Sequence, residues 1–365
     1  MVERRVLDPA VSMTPAPERA VGPPLASPGA SQGAVRATRN RRGRLVGVLV
    51  GRRLAWTVPL LAVISLGIFA LAALSPADAT TGFLGARGEF TPASSRDNVE
   101  ELLGHGTWLE SWLAWAGSTL TGDPGWSTAY RAPVAEIVAA RLPWTVLIMA
   151  TGVLSAAVLS VVLALGVALT PHHPVSRTVV GGLWAVTALP SFLVSLGLMA
   201  VFAIGLGWLP AGGLTNPGAD LTAGQVATHM VLPTAAVAVS QVPWMSLHLH
   251  EALRAQLNGP AVEAARVRGL SEPTIVARHA LPAAAIPVVA IAGTRLPEIV
   301  AGAAVVELVL SWPGLGQALV EAALAQDLAL LATVGVLLTA ASLLGGLLAD
   351  VALVALDPRT DPREL

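Results

Sequence analysis

The chain alternates between long runs of Leu, Val and Ala and short clusters of Arg, Pro, Gly and acids. A bilayer core needs about 20 apolar residues wound as helix. Six runs are long enough: roughly Leu54–Leu74, Trp144–Leu169, Thr178–Leu206, Thr228–Leu247, Ala283–Val305 and Leu328–Leu356. Each is predicted to span the membrane as a helix. Gly and Pro are scattered through them, because neighbouring helices can satisfy the backbone groups such breakers free. The fourth and fifth runs also carry polar residues. The pattern predicts an all-α integral membrane protein with six transmembrane helices.

The connections carry weaker patterns. In the loop after the first span, Leu102, Leu103, Leu109, Trp112, Leu113 and Trp115 fall at helical spacing. Trp108, Trp112 and Trp115 suit a helix lying at the membrane interface. "APVAEIVAARLP" has Pro133 at a first helical turn and Val134, Ile137 and Val138 on one face, which predicts a short elbow helix before the second span. "LGWLPAGGLTNPG" and "SWPGLGQ", Ser311 to Gln317, are Gly/Pro turns. The second lacks the Lys-Ser/Thr of a phosphate-binding loop. Residues 1–44 lack apolar periodicity and are predicted to be a disordered arm. Pro358 stops the last helix, leaving a tail at 357–365.

Composition sharpens this picture. Hydrophobic residues make up 54% of the chain and charged ones 12%, against about a quarter charged in soluble domains. The absence of cysteine excludes disulfides, thiolate metal sites and cysteine nucleophiles. Every basic residue apart from the histidines is arginine, and their placement orients the chain. Ten arginines precede residue 54. Arg177, Arg254, Arg266, Arg268, Arg278, Arg359 and Arg363 follow even-numbered spans, while Arg87, Arg96, Arg131 and Arg141 share one long loop with twice as many acids. Both termini and the loop 250–282 are therefore expected in the cytoplasm, and 75–142 outside. The cluster "RATRNRRGR" stands directly before a span, the position of a topology anchor on anionic lipid rather than of a nucleic-acid arm. The expected organisation is an arm (1–44), a first span with a long outer loop (45–142), a five-helix core (143–356) and a tail (357–365).

The loop 250–282 holds the most distinctive stretch, "EAARVRGLSEPTIVARHALP", Glu263 to Pro282. Pro260 suits a first helical position, and 260–268 are good helix formers. Gly269 suits the left-handed residue that ends a helix, and Ser271 an N-cap with Pro273 in the next first turn. Leu281-Pro282 is predicted to close that second helix. Small Ala264 and Ala265 permit close approach of another surface. The prediction is helix, glycine turn, helix, with the turn pointing away from the membrane.

This stretch resembles the EAA loop of ABC-transporter inner-membrane permeases: Glu-Ala-Ala, three residues, Gly, nine residues, then a segment ending Leu-Pro. It is most similar to the peptide/nickel branch, whose Ala-Arg-Ala-Lys-Gly-Leu-Ser and Arg-His-Ala-Leu runs are like "ARVRGLS" and "RHALP" here. "GDPGWS" (122–127), "VVELVLSWPGLG" (305–316) and "LDPR" (356–359) resemble further signatures of that branch. Pro260-Ala261 departs from the branch's usual Asp-Tyr, and Ser75-Pro76-Ala77-Asp78 from its Pro-Gly-Asp-Pro.

The resemblance implies a type I ABC importer permease subunit, not an enzyme, in the cytoplasmic membrane of a prokaryote. It implies a second homologous permease subunit, two ABC ATPase subunits that bind ATP and Mg, and an extracytoplasmic solute-binding protein. No cofactor is expected on this chain. Glu263, Ala264, Ala265, Arg266, Arg268, Gly269, Leu270 and Ser271 are the expected coupling residues, with Glu263 anchoring the loop. Arg266, Arg268 and Arg278 face either the ATPase or lipid headgroups. The binding protein is expected to dock near 75–142 and 303–327. Di- and oligopeptides are the expected solute class, with nickel or a nickel chelate as the alternative. A secondary transporter would show inverted repeats, and an intramembrane enzyme a nucleophile or metal constellation; neither pattern is present.

Three features remain. "GTRLPEIVAG" puts Arg295 and Glu298 three residues apart in the fifth span, where the branch is uncharged. A mid-membrane charge costs about 2.5–3.5 kcal/mol on insertion scales. The pair therefore either lines the translocation path or closes a helix interface around Pro297. His172-His173 and His248/His250 lack the converging third ligand of a transition-metal site and are taken as interfacial. Glu307 and Asp327, near the outer surface, are taken as loop contacts.

Overall fold

A computed structural model of the chain describes residues 28–75 and 107–356. The chain divides into two units, Met1–Leu45 and Val46–Leu365. Of the expected arm, 1–27 lies outside the described residues, and the backbone is helical from Pro28 onward. The outer segment 76–106, with Leu102 and Leu103, and the tail 357–365 also lie outside them.

The described residues form a helical bundle. Helix α1 runs Pro28–Ala73, and its apolar part, Gly47–Ala73, is long enough to cross a bilayer. Helix α2, Trp108–Leu120, starts at Thr107, whose hydroxyl accepts from the Glu110 N–H while the Glu110 carboxylate accepts from the Thr107 N–H. Trp112 and Trp115 donate to Ser65 and Thr333, so the interfacial helix is hydrogen-bonded to the first and last spans. Strands β1 (Trp126–Ser127) and β2 (Ala132–Pro133) form a small antiparallel hairpin.

Helix α3 runs unbroken from Val134 to Leu169. The expected elbow helix and second span are therefore one rod, with Pro133 as N-cap and Pro143 inside it. At 1.5 Å per residue it is about 54 Å long, well beyond the hydrocarbon core. The expected third span is not one helix. Helix α4 (Pro174–Thr187) and helix α5 (Ser191–Leu198, extended by a π-helical turn Met199–Gly205) meet at 110°. Pro190 explains the break: it has no N–H to donate and disfavours helical geometry at Leu189.

The proline-bearing fourth and fifth spans stay continuous. Helix α6 runs Ala223–Leu257 through Pro233 and Pro243. After α7 (Pro260–Val267) and the short α8 (Glu272–Ile275), a π-helical turn (Val276–Ala280) leads straight into α9 (Leu281–Val309). Leu281-Pro282 thus does not close a helix. Pro282 removes one backbone donor, and the wider turn before it absorbs the mismatch. Helix α10 (Leu315–Leu324) begins inside "SWPGLGQ", so Gln317 is helical rather than part of the turn. Helix α11, Leu328–Leu356, completes the bundle. Five helices are long and apolar enough to span, and the bent α4–α5 pair makes a sixth.

Helices α3, α6 and α9 are the spine. Ala156 of α3, Leu183 of α4 and Ala238, Val242 and Leu247 of α6 form one apolar cluster. Gly152 sits where a side chain would collide with Val237, so α3 and α6 approach closely there. Leu232, Ala236 and Val237 of α6 pack on Ala303 and Val306 of α9 nearer the outer end.

Candidate functional site

The residues expected to couple stand on a base shared by three spans. Val262 and Ala265 of α7 and Ile275 of α8 are buried with Ala164 and Ala168 of α3, Leu249 and Leu253 of α6, and Ala284 and Val288 of α9. The two small residues divide their roles: Ala265 is buried against this base, whereas Ala264 faces outward. A displacement of α7 is therefore transmitted to α3, α6 and α9 together, because close-packed side chains move as a unit.

The turn is set by backbone chemistry. Gly269 has φ +75°. Its N–H donates to Arg266 O at 2.9 Å, and the Leu270 N–H donates to Ala265 O at 3.2 Å, the paired bonds of a Schellman end. Ser271 occupies the N-cap position of α8, but its hydroxyl pairs with Thr274 at 2.9 Å instead of capping the backbone.

Arg266 locks the two helices together. Its Nε donates to Glu272 Oε1 at 2.7 Å and its Nη2 to Glu272 Oε2 at 3.3 Å, while Nη1 reaches Leu257 O at 3.3 Å. The hydrogen bond that Arg266 donates to Glu272 raises the arginine's pKa above its usual value. This arginine is thus engaged within the loop. Glu263, the expected anchor, is exposed, and its side chain makes no hydrogen bond or ion pair among the described residues. Glu272 performs that anchoring; an acid in a first helical turn after a serine was the available sequence signal.

What remains at the tip is a contact surface. Val267 is 84% exposed and Leu270 37%. Arg268 is exposed, with only Nε tied to Ala264 O at 3.2 Å. Arg278, on the π-helical turn, is also exposed. Apolar side chains at the tip of a rigid, charged knob are suited to a cleft in another protein.

Arg295 and Glu298 do pair, at 2.7 Å, with side chains 37% and 63% exposed. The Arg295 guanidinium also stands 5.7 Å from the ring centroid of Trp244 on α6. The pair faces out of its own bundle, not into it. Two of these histidines are occupied locally: His173 Nδ1 accepts from the Val175 N–H at the start of α4, and His248 Nδ1 lies 2.7 Å from Trp244 O, whereas His250 Nδ1 is buried without a hydrogen-bond partner among the described residues.

The outer end holds a second constellation. Glu307 is fully buried. Its Oε2 accepts from the N–H of Gly316 at 2.6 Å and of Gln317 at 3.4 Å. A side chain at Gly314 or Gly316 would strike that carboxylate, which explains the glycines of "PGLG". Trp312 Nε1 donates to Trp144 O at 3.1 Å, and Leu315 N–H to Thr145 Oγ1 at 2.7 Å. Asp327 accepts from Ser127 Oγ, from the Ala129 N–H at 3.1 Å and from the Leu330 N–H at 3.1 Å. Tyr130 donates to Glu321, and Arg141 lies 3.9 Å from the same carboxylate and 4.8 Å over the Tyr130 ring. The loop contacts expected of Glu307 and Asp327 are present. The burial of Asp327 was not legible, because it depends on Ser127, 200 residues away, and that of Glu307 was not, because it depends on how the turn before Gly316 folds back over it.

The architecture defines a multi-pass helical membrane protein with a rigid, exposed loop at its arginine-rich end. Residues 156–362 match the family described as the inner membrane component of binding-protein-dependent transport systems, and the chain belongs to that family. It is a transport subunit rather than an enzyme, working with ATPase components on separate subunits. The oligopeptide transport system permease protein AppB of Bacillus subtilis (strain 168) is 26% identical over 311 residues, 85% of this chain and 98% of that protein. The glutathione transport system permease protein GsiC of Salmonella choleraesuis (strain SC-B67) is 30% identical over 241 residues, 66% of this chain and 75% of that protein. An inward-facing structure of the MetNI methionine ABC transporter aligns with a TM-score of 0.49 and 19% identity, over 60% of this chain and 96% of the matched one.

Proposed function

We propose that this chain is the permease subunit of an importer for di- or oligopeptides or a closely related solute. A second, homologous permease pairs with it. Two ABC ATPase subunits bind ATP and Mg and close on one another, and an extracytoplasmic solute-binding protein delivers the cargo. The assembly sits in the cytoplasmic membrane of a prokaryote. Val267, Arg268, Gly269 and Leu270 form the plug that seats in the ATPase; Glu263, Ala264, Arg266 and Ser271 shape its flanks, and Ala265 ties it to the spans. The peptide class rests on the oligopeptide and glutathione systems of the relatives.

One observation carries this reading: an exposed apolar tip is held stiffly on a base that includes three spans. Movement of the ATPases would reach α3, α6 and α9 through that base, and packed helices rearrange between discrete states. On the outside, residues 126–142 and 307–327 are knit into one cap by Glu321 and Asp327, which supports a firm platform for the binding protein. Arg295 and Glu298 are assigned to the translocation path. The test is to purify the complex with its nucleotide-binding subunits and compare peptide uptake with ATP hydrolysis in Val267→Asp. In Val267→Asp the permease is expected to fold but to lose both uptake and its hold on the ATPase subunits; undiminished uptake by Val267→Asp sinks the assignment of the plug.

A further inference from the structure

The surroundings of Arg295 and Glu298 carry the peptide-import reading, on which this inference rests, one step further. Thr294, Pro297, Glu298 and Ala301 are all exposed, and their spacing of three and four places them along one stripe of α9. Another face is closed against α11. A methyl group at Gly293 would lie 2.8 Å from Ala349 Cβ, and one at Gly345 would lie 2.8 Å from Leu296 Cδ1. Two residues turn about 200° around a helix, so Arg295 points away from the Gly293 contact. It lies over Trp244, whose Nε1 donates to Gln241 Oε1 at 2.8 Å and whose ring meets His248 edge-on.

The pair has hydrogen-bonding capacity left over. A single bond, from Arg295 Nη1 to Glu298 Oε2, joins the side chains. Among the described residues, Arg295 Nε and Nη2 and Glu298 Oε1 have no other hydrogen-bond partner. Acyl chains would leave those groups unsatisfied, so in the assembled transporter this stripe meets water or protein. A guanidinium with free N–H groups beside a carboxylate with a free oxygen complements a solute bearing both signs. A carboxylate accepts from the first and an ammonium donates to the second, each as a charge-assisted bond. A solely anionic solute meets repulsion from Glu298, and a solely cationic one from Arg295.

We propose that Arg295 and Glu298, with Trp244 as the aromatic backing, form a transit site for zwitterionic solutes such as short peptides with free ends. Arg295 takes the carboxylate and Glu298 the ammonium as the internal bond between them opens. Trp244 holds the guanidinium over the path while the site is empty.

The chain contains no cysteine, so Thr294→Cys places one thiol in it, next to Arg295. The variant is purified with its partner subunits and reconstituted in nanodiscs. A charged, membrane-impermeant methanethiosulfonate then probes the thiol, and labelling is read from the mass of this chain. Labelling is expected. Millimolar dialanine should slow it about tenfold, the scale of one charge-assisted hydrogen bond. N-acetyl-dialanine amide should not slow it, and Glu298→Gln should abolish the protection. A thiol that resists the impermeant reagent, equal protection by the blocked peptide, or full protection in Glu298→Gln each overturns the transit site. Association with the ATPase subunits is scored on the same preparation. A dry thiol in an ATPase-bound complex sinks only the transit site, whereas a complex that never binds ATPase sinks the importer reading and the site with it.

Discussion

The two ends of the bundle treat charge in opposite ways. At the arginine-rich end, Arg266 and Glu272 are six residues apart, side-on to each other and exposed. At the other end, Glu307 and Asp327 are buried, and Asp327 binds a segment about two hundred residues away. The inner pair stiffens a local hairpin whose outward surface stays free. Asp327 binds a segment with no sequence proximity, Glu307 binds the start of the helix that folds back over it, and both are thereby removed from water. Exposed ion pairs contribute little to stability because solvent screens them, while a buried carboxylate stripped of partners is strongly destabilising. The outer cap should therefore govern whether the bundle stands, and the inner knob whether it responds.

That contrast can be broken in order of expected size. Glu307→Ala would orphan the Gly316 N–H and leave Arg141 without its nearby buried carboxylate; a loss of about 3 kcal/mol is expected. It would appear as a large drop in the melting temperature of the detergent-solubilised chain. A melting temperature like that of the parent would remove the claim that the cap holds the bundle. Asp327→Ala should follow at about 2 kcal/mol, because the buried Leu330 donor and the part-buried Ala129 donor lose their acceptor. Limited proteolysis near residues 126–133 reads this change directly.

Gly269→Val comes next. A β-branched residue held at φ +75° costs about 1–2 kcal/mol, spent in the loop rather than the spans. Uptake per ATP hydrolysed should fall severalfold while the bundle's melting temperature barely moves. Equal losses of both would mean that the knob supports the fold as much as the coupling. Smallest in stability is the Arg266→Glu change, in which the melting temperature should not shift measurably. Coupling should fall and should recover in the double exchange Arg266→Glu with Glu272→Arg. No recovery would point to a direct contact of Arg266 with the ATPase.

Several of these features were legible in the linear pattern because their causes are local. A helix start at Pro260, a left-handed glycine at 269 and a cap position at Ser271 depend on a handful of neighbours. Local sequence misled where several breakers competed. Pro233, Pro243, Pro287 and Pro297 sit inside unbroken helices, whereas Pro190 bends the chain by 110°. Whether a proline kinks, caps or is absorbed is decided by what packs across it. Pro282 is absorbed by a π-helical turn, which no periodicity of three or four residues reveals.

Composition and apolar run length alone determined that this chain crosses a bilayer repeatedly, which end holds the arginines and where the charged loop falls. Those properties follow from the free energy of moving side chains between water and hydrocarbon, which adds up residue by residue along the chain. Tertiary structure alone decided that Arg266 pairs with Glu272 rather than with a partner, that Arg295 and Glu298 face out of their own bundle, and that Glu307 disappears beneath Gly314 and Gly316. Each of those outcomes is a choice among competing hydrogen-bond partners, and the choice is made by proximity in space, which only the packed helices supply.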